Sequence, residues 1–355
     1  MIEKDDLRAA VQAGVLSEAQ AVNLSALAQK RLGSRTDLDP GDEPFELFKG
    51  FNEIFIVVGL GILAAGWVFT NLAAAETEII NYRTMFATTG ATAAVVIWLL
   101  SEYFIRRRRM VAPAIALSIM FAVNAVVGLT GYFAQPFMIA QEEFRSLPMP
   151  VAAATFATVV YWFRFKVPFA MALIAVALFA LSVLIAANST GTPTGPSDLF
   201  LLSANGPFAW ITLVLGLAVF AVALAFDMSD PHRVTRRSAQ GFWLHVVAAP
   251  ALVNTIALSL LARETSTANL ILVAVLVLFA LVAIVIDRRS FLIAAIGYIV
   301  ALASTVFEGE AAATTILGLG VFLVLLGAFW ERIRARLLGL LPSSVPLDKL
   351  PPSYS

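Results

Sequence analysis

Four consecutive arginines, Arg106–Arg109, separate two long apolar runs, Thr84–Ile105 and Met110–Phe133. One arginine at the centre of a bilayer costs about 2.5–3.5 kcal/mol on insertion scales, so four in a row neither cross it nor stay inside it. The cluster pins one membrane face. Because inner loops of membrane proteins carry the excess of Lys and Arg, that face is expected to be cytoplasmic. Arg106, Arg107, Arg108 and Arg109 are thus the topology anchors from which every other loop is numbered.

The rest of the chain fits a membrane protein. Hydrophobic residues make up 60% and charged residues 14%, against about 45–50% and about 25% in soluble domains. Mean hydropathy is +0.86. The expected fold is all-α, a polytopic transmembrane helix bundle of about ten spans. These run Phe51–Ala73, Thr84–Ile105, Met110–Phe133, Met149–Phe165, Val167–Ala187, Pro207–Phe226, Gly241–Ala262, Leu270–Ile286, Phe291–Phe307 and Ala311–Trp330. An even count places both termini with the arginine cluster, in the cytoplasm. On this map only Arg83, Arg145 and Arg263 of the 24 basic residues fall outside, and a wrong count would scramble that bias partway along. Abundant alanine, absent cysteine and short loops point to a bacterial inner membrane.

Three parts follow: residues 1–50, a cytoplasmic helical hairpin with linker and interfacial lead-in; 51–330, the spans; and 331–355, an amphipathic helix with a disordered tail. In the first, a helix over Lys4–Ala13 stops at Gly14, a natural left-handed cap. Ser17 and Gln20 have the spacing of a capping box opening a second helix that ends at Gly33. Leu7, Val11, Leu16, Leu24 and Leu27 are expected to close a small apolar seam. Phe45, Phe48, Phe51 and Phe55 recur at helical spacing and lead into the first span. Residues 4–33 offer a docking surface for a cytoplasmic protein partner. Beyond the sixth span, Asp230 and Pro231 read as the start of a short helix turning Arg233, Arg236 and Arg237 toward lipid headgroups. At the C-terminal end Ile333, Leu337 and Leu340 share a face from which Arg332, Arg334 and Arg336 mostly point away.

Chemistry is sparse. There is no cysteine and there are only two histidines, so thiolate nucleophiles, disulfides and histidine-rich metal sites are excluded. The glycine spacings match neither a phosphate loop nor a dinucleotide fingerprint. No catalytic residue, cofactor or metal is expected, and the short basic loops suit lipid headgroups better than nucleic acid. Glu53, Glu102, Asp227 and Asp287 all fall at cytoplasmic span ends, and Glu102 is placed to pair with Arg106. Asn124, Gly128, Gly131 and Gln135 form one small-and-polar stripe. Trp243, Val247, Pro250 and Asn254 form another, with His245 near the cytoplasmic end of that span. Such stripes serve close helix packing or line a solute path, and packing is the weightier reading. His245 admits a proton relay or a simple hydrogen-bonding role.

Residues Leu7–Gln20, the run Gly241-Phe242-Trp243-Leu244-His245 with Ala248-Ala249-Pro250, and Leu325–Arg332 resemble stretches of a broad class of bacterial polytopic membrane proteins of unknown function, built as a short helical hairpin before many spans. The resemblance implies a bacterial membrane protein and no particular activity. The functional expectation is a non-catalytic membrane protein that docks or senses partners through its hairpin. The alternative is a permease for a small neutral or amphipathic solute, with Asn124, Gln135 and Asn254 along its path.

Overall fold

The computed structural model describes residues 4–31, 51–77, 81–135, 144–204, 206–233, 235–263, 265–288, 317–318, 320–321, 324–342 and 346–352. The expected linker, Phe45 and Phe48, the ninth span and, of the tenth, residues 311–316, 319, 322 and 323 lie outside these residues. So do residues 136–143.

All described elements are helical. In order they are α1 (Lys4–Gln12), α2 (Glu18–Arg31), α3 (Phe51–Thr77), α4 (Tyr82–Ser101), α5 (Ala112–Phe133), α6 (Pro148–Phe165), α7 (Phe169–Thr190), α8 (Phe208–Met228), α9 (Arg236–Leu261), α10 (Ser266–Val285) and α11 (Trp330–Leu340). Among the described residues seven helices, α3, α4, α5 and α7 to α10, are long and apolar enough to cross a membrane. Many large apolar side chains on them face outward, including Phe69, Val95, Val123, Leu217 and Leu270. Outward apolar faces cost nothing where the surrounding solvent is lipid, and this marks a multi-pass membrane protein. The fourth expected span also forms a helix, α6, yet it is not among the seven. Pro148, Pro150, Thr155, Thr158 and Arg164 dilute its apolar run.

The chain divides into two compact units, one of residues 45–195 and 206–211, the other of 1–44, 196–205 and 212–355. In the first, α3 to α7 pack around Leu117, Phe121, Tyr161 and Phe165. The Phe121 and Tyr161 rings stack at 4.6 Å, and Trp98 meets Phe165 edge-on at 5.0 Å. The Tyr161 hydroxyl shares a 2.7 Å hydrogen bond with Ser101, so the one polar tip in this aromatic core is satisfied. Glu53 is buried and accepts the backbone N–H groups of Val111 and Ala112 at 3.4 and 3.1 Å. An anion there meets the positive end of α5 and supplies the acceptor its first turn lacks.

The second unit centres on α8 to α10, with Leu252, Val253, Leu272 and Leu276 in its core. Residues 200–202 are pinned to α9 through Ser259, which donates to the Phe200 carbonyl and accepts from Leu202 N–H. The N-terminal hairpin belongs to this unit. Gly14 adopts φ +71°, and the capping box closes both ways, with Ser17 N–H to Gln20 at 2.9 Å and Gln20 N–H to Ser17 Oγ at 3.2 Å. The expected seam is only partly right. Leu7 is buried with Ala21 and Val22, whereas Leu24 and Leu27 are exposed, because the α2 face turned inward carries its smaller residues.

Candidate functional site

The predicted topology anchors sit where α4 changes winding. Residues Glu102–Arg107 form a π-helical turn in which Arg108 N–H reaches the Tyr103 carbonyl at 2.9 Å. Glu102 receives Arg106 at 3.3 Å, as expected, and also Arg164 from the end of α6 at 2.8 Å. Arg107, Arg108 and Arg109 remain exposed.

The Asn124 stripe is a packing seam. Its amide donates to the Gly90 carbonyl of α4 at 3.0 Å. A methyl on Gly90 would lie 3.3 Å from the Gly128 backbone, and one on Gly131 would overlap the Phe86 ring. Gln135 is exposed and outside that seam, its backbone N–H held by Ser146. On α9, Pro250 is exposed and Trp243 and Asn254 are half-buried, while His245, Ala248, Ala249, Leu252 and Val253 are buried. The second stripe therefore lies beside the packed face of α9 and not on it. Asn124 and Gln135 belong to one unit, Trp243, His245, Pro250 and Asn254 to the other.

The concentrated polar chemistry is a buried ionic cluster at one end of α8, α9 and α10, within the second unit. It begins with Asp227 in the last turn of α8. Its Oδ2 meets His245 Nε2 at 2.8 Å and accepts from Arg288 Nε at 3.0 Å, while Arg288 also reaches Oδ1 and Ser238 Oγ and its carbonyl. His245 is fully buried, and Asp227 and Arg288 nearly so. The close approach depends on Gly241, since a methyl there would come 2.4 Å from Asp227 Oδ1. The edge of Phe220 closes over the imidazole, with ring centroids 5.5 Å apart.

Asp230, three residues on, organises the start of α9. It accepts from Thr235 N–H and Oγ1 at 2.9 and 2.7 Å and from Ser238 N–H at 3.3 Å. Thr235 in turn caps α9 by accepting from Arg237 N–H. This corrects the expected short helix opened by Asp230 and Pro231: the helix starts at Arg236, and Asp230 serves it from a distance. It also corrects the lipid-facing arginine trio. Arg236 and Arg237 are exposed, but Arg233 turns inward to Asp287, with its Nη1 2.9 Å from Oδ2 and its Nη2 2.6 Å from the carbonyl.

Asp287, at φ +54°, just past α10, accepts Trp330 Nε1–H at 2.7 Å as well. Arg334 of α11 is fully buried and donates to the Ile284 carbonyl at 3.1 Å, the Pro352 carbonyl at 3.1 Å and the Pro351 carbonyl. A guanidinium at a helix C-terminus faces the carbonyls the helix leaves open and the negative end of its dipole. Arg334 therefore does not point away from the apolar face as expected, and in the predicted disordered tail Leu347–Lys349 form a 3₁₀ turn followed by the Pro351 and Pro352 carbonyls that Arg334 holds. Burial pushes the Arg288 guanidinium down to about 9. Burial also lowers Arg334, partly offset by Asp287 and Glu331.

Among the described residues no group of His, Cys, Asp and Glu has the arrangement to hold a metal ion. Sequence reasoning singled out His245 and noted Asp227 and Asp287 at span ends, but it did not join them and passed over Arg288. One signal was present: the runs Ala225-Phe226-Asp227 and Val285-Ile286-Asp287 end alike, each placing a carboxylate directly on an apolar helix. Compared with known proteins, the chain matches no family model, no curated protein and no solved structure.

Proposed function

We propose that this chain is a non-catalytic, multi-pass protein of the bacterial inner membrane that recruits a cytoplasmic protein through its N-terminal hairpin. In this reading it has ten spans with both termini cytoplasmic, and it belongs with the hairpin-plus-spans class that its ends resemble. The observation that carries the proposal is the state of the hairpin. It is a locally closed element, yet Val15, Leu24 and Leu27 stand exposed on it at 73%, 39% and 55%. Unlike the outward apolar residues of the spans, these sit in a hairpin, Val15 in its turn and Leu24 and Leu27 on α2, whose helices are too polar and short to enter lipid. Asp5 of α1 lies 4.0 Å from Arg236 at the start of α9, so an occupied hairpin would bear on the helix that carries Gly241 and His245. The Asn124 and Gly131 seam supports packing over a solute path.

The test is a photoreactive side chain at Leu24 or Leu27, illuminated in growing cells. A discrete protein adduct is expected at both positions, with Arg106 positions giving lipid adducts. Lipid adducts alone at Leu24 and Leu27 would end the docking reading. Removing residues 1–44 should abolish capture of the same protein by the rest of the chain and leave membrane insertion intact.

A further inference from the structure

We propose that the basic end of α4 and α6 is a binding site for the phosphate of an anionic phospholipid, held by Arg107, Arg108 and Lys166 beside Arg106 and Arg164. The site lies within the first unit and rests on the membrane reading of the spans, not on the hairpin. Glu102 draws two helices together there. Its Oε2 meets Arg106 at 3.3 Å and its Oε1 meets Arg164 of α6 at 2.8 Å. The two guanidinium side chains stay about half exposed, at 50% and 41%, so each keeps donors that the shared carboxylate does not use.

Two of the other cations are positioned by rings. Arg108 Cζ lies 5.9 Å from the Tyr103 ring centroid, and Lys166 Nζ lies 4.3 and 4.6 Å from those of Trp162 and Phe163. An aromatic face holds a cation without cancelling its charge. The backbone is fixed as well: Arg107 ends the π-helical turn, and Lys166, at φ +52°, closes α6 onto the Trp162 carbonyl at 2.8 Å. The described charged groups at this end are Arg106 to Arg109, Arg164, Lys166, Glu53 and Glu102. Even without Arg109, which is engaged elsewhere, five cations stand against two carboxylates. Glu53 spends both oxygens on the Val111 and Ala112 N–H groups. Among the described residues, Arg107, Arg108 and Lys166 therefore have no carboxylate partner, and the excess calls for an anion.

The apolar surface next to these cations decides which anion. Leu99 and Tyr103 on α4 and Val160 and Phe163 on α6 are exposed at 64%, 44%, 42% and 61%, and each pair leads up its helix to the basic end. A phosphate that carries acyl chains uses both parts, the guanidinium donors and the apolar residues beneath them. A free phosphate would use only the first. A zwitterionic headgroup brings its own cation into the excess of positive charge and gains less there than a headgroup of net negative charge.

The chain has no cysteine, so a single fluorophore can be attached at V160C, one helical turn before Arg164, or at L217C on α8, where the side chain is 52% exposed. The full-length protein is placed in phosphatidylcholine vesicles. A minor fraction of the lipid is then replaced by phosphatidylglycerol or phosphatidylcholine with brominated acyl chains, which quench on contact. At V160C the brominated phosphatidylglycerol is expected to quench several-fold more than the brominated phosphatidylcholine, and at L217C the two should quench alike. R107Q/R108Q/K166Q should bring the V160C ratio down to the L217C ratio. R237Q/R332Q/R336Q, which removes three exposed cations of the other unit, should leave it unchanged. Equal ratios at the two positions in the parent protein overturn the proposal whatever the variants do. So does an enrichment that survives R107Q/R108Q/K166Q or is lost in R237Q/R332Q/R336Q. Loss of the enrichment on adding inorganic phosphate at constant ionic strength would assign the cations to a soluble anion and overturn the lipid assignment.

Discussion

At Gly241 two physical effects oppose each other. In an exposed helix interior, Gly to Ala stabilises by about 1 kcal/mol through backbone entropy. Here the added methyl would stand 2.4 Å from Asp227 Oδ1 and 3.1 Å from the Ala223 carbonyl, and that carboxylate is already held by His245 and Arg288. Overpacking costs about 1–3 kcal/mol, so G241A is expected to lower the thermal midpoint in detergent. A neutral or raised midpoint would mean that the Asp227 carboxylate yields freely. The need for glycine at this position was not legible beforehand, because the atom it accommodates is contributed by another helix. The same holds for Arg233, whose partner Asp287 lies 54 residues away. Ser17 and Gln20, by contrast, were legible because everything that fixes them is three residues apart.

Whole helices show the same division between local and distant causes. The position of each apolar run among the described residues was readable because composition alone selects helix in lipid. The π-helical turn at Glu102–Arg107 was not, and neither was the contact of Glu102 with Arg164 of α6, 62 residues away. The pairing of α4 with α5 makes its own prediction. Asn124 contributes one interhelical amide bond, and such bonds average about 0.6 kcal/mol. Gly90 sets the separation of the two backbones, with 3.3 Å from its would-be methyl to Gly128. G90L should therefore cost more than N124L in denaturant titrations of the detergent-solubilised protein. The reverse order would make the amide, not the close approach, the main tie between these helices.

At the scale of the whole chain, the ten-span proposal predicts a labelling pattern for single cysteines at Asp198, Arg236, Asn124 and Asn254. A membrane-impermeant reagent should reach Asp198→Cys only from outside and Arg236→Cys only from inside. Asn124→Cys should be silent from both sides, as its carbonyl-bound, half-buried place implies, and a packed interior would silence Asn254→Cys too. Labelling of both asparagine sites would instead reveal a hydrated route and favour the permease. Helix α11 and residues 346–352 add a consequence for biogenesis. Trp330, Arg334 and the prolines at 351 and 352 are translated after all the helices they secure, so the turn after α10 waits on the ribosome for its last partners. A nascent chain stopped before Trp330 inserts with Asp287 lacking its indole donor and the Ile284 carbonyl lacking its guanidinium. The turn after α10 is thus completed only by residues translated after it.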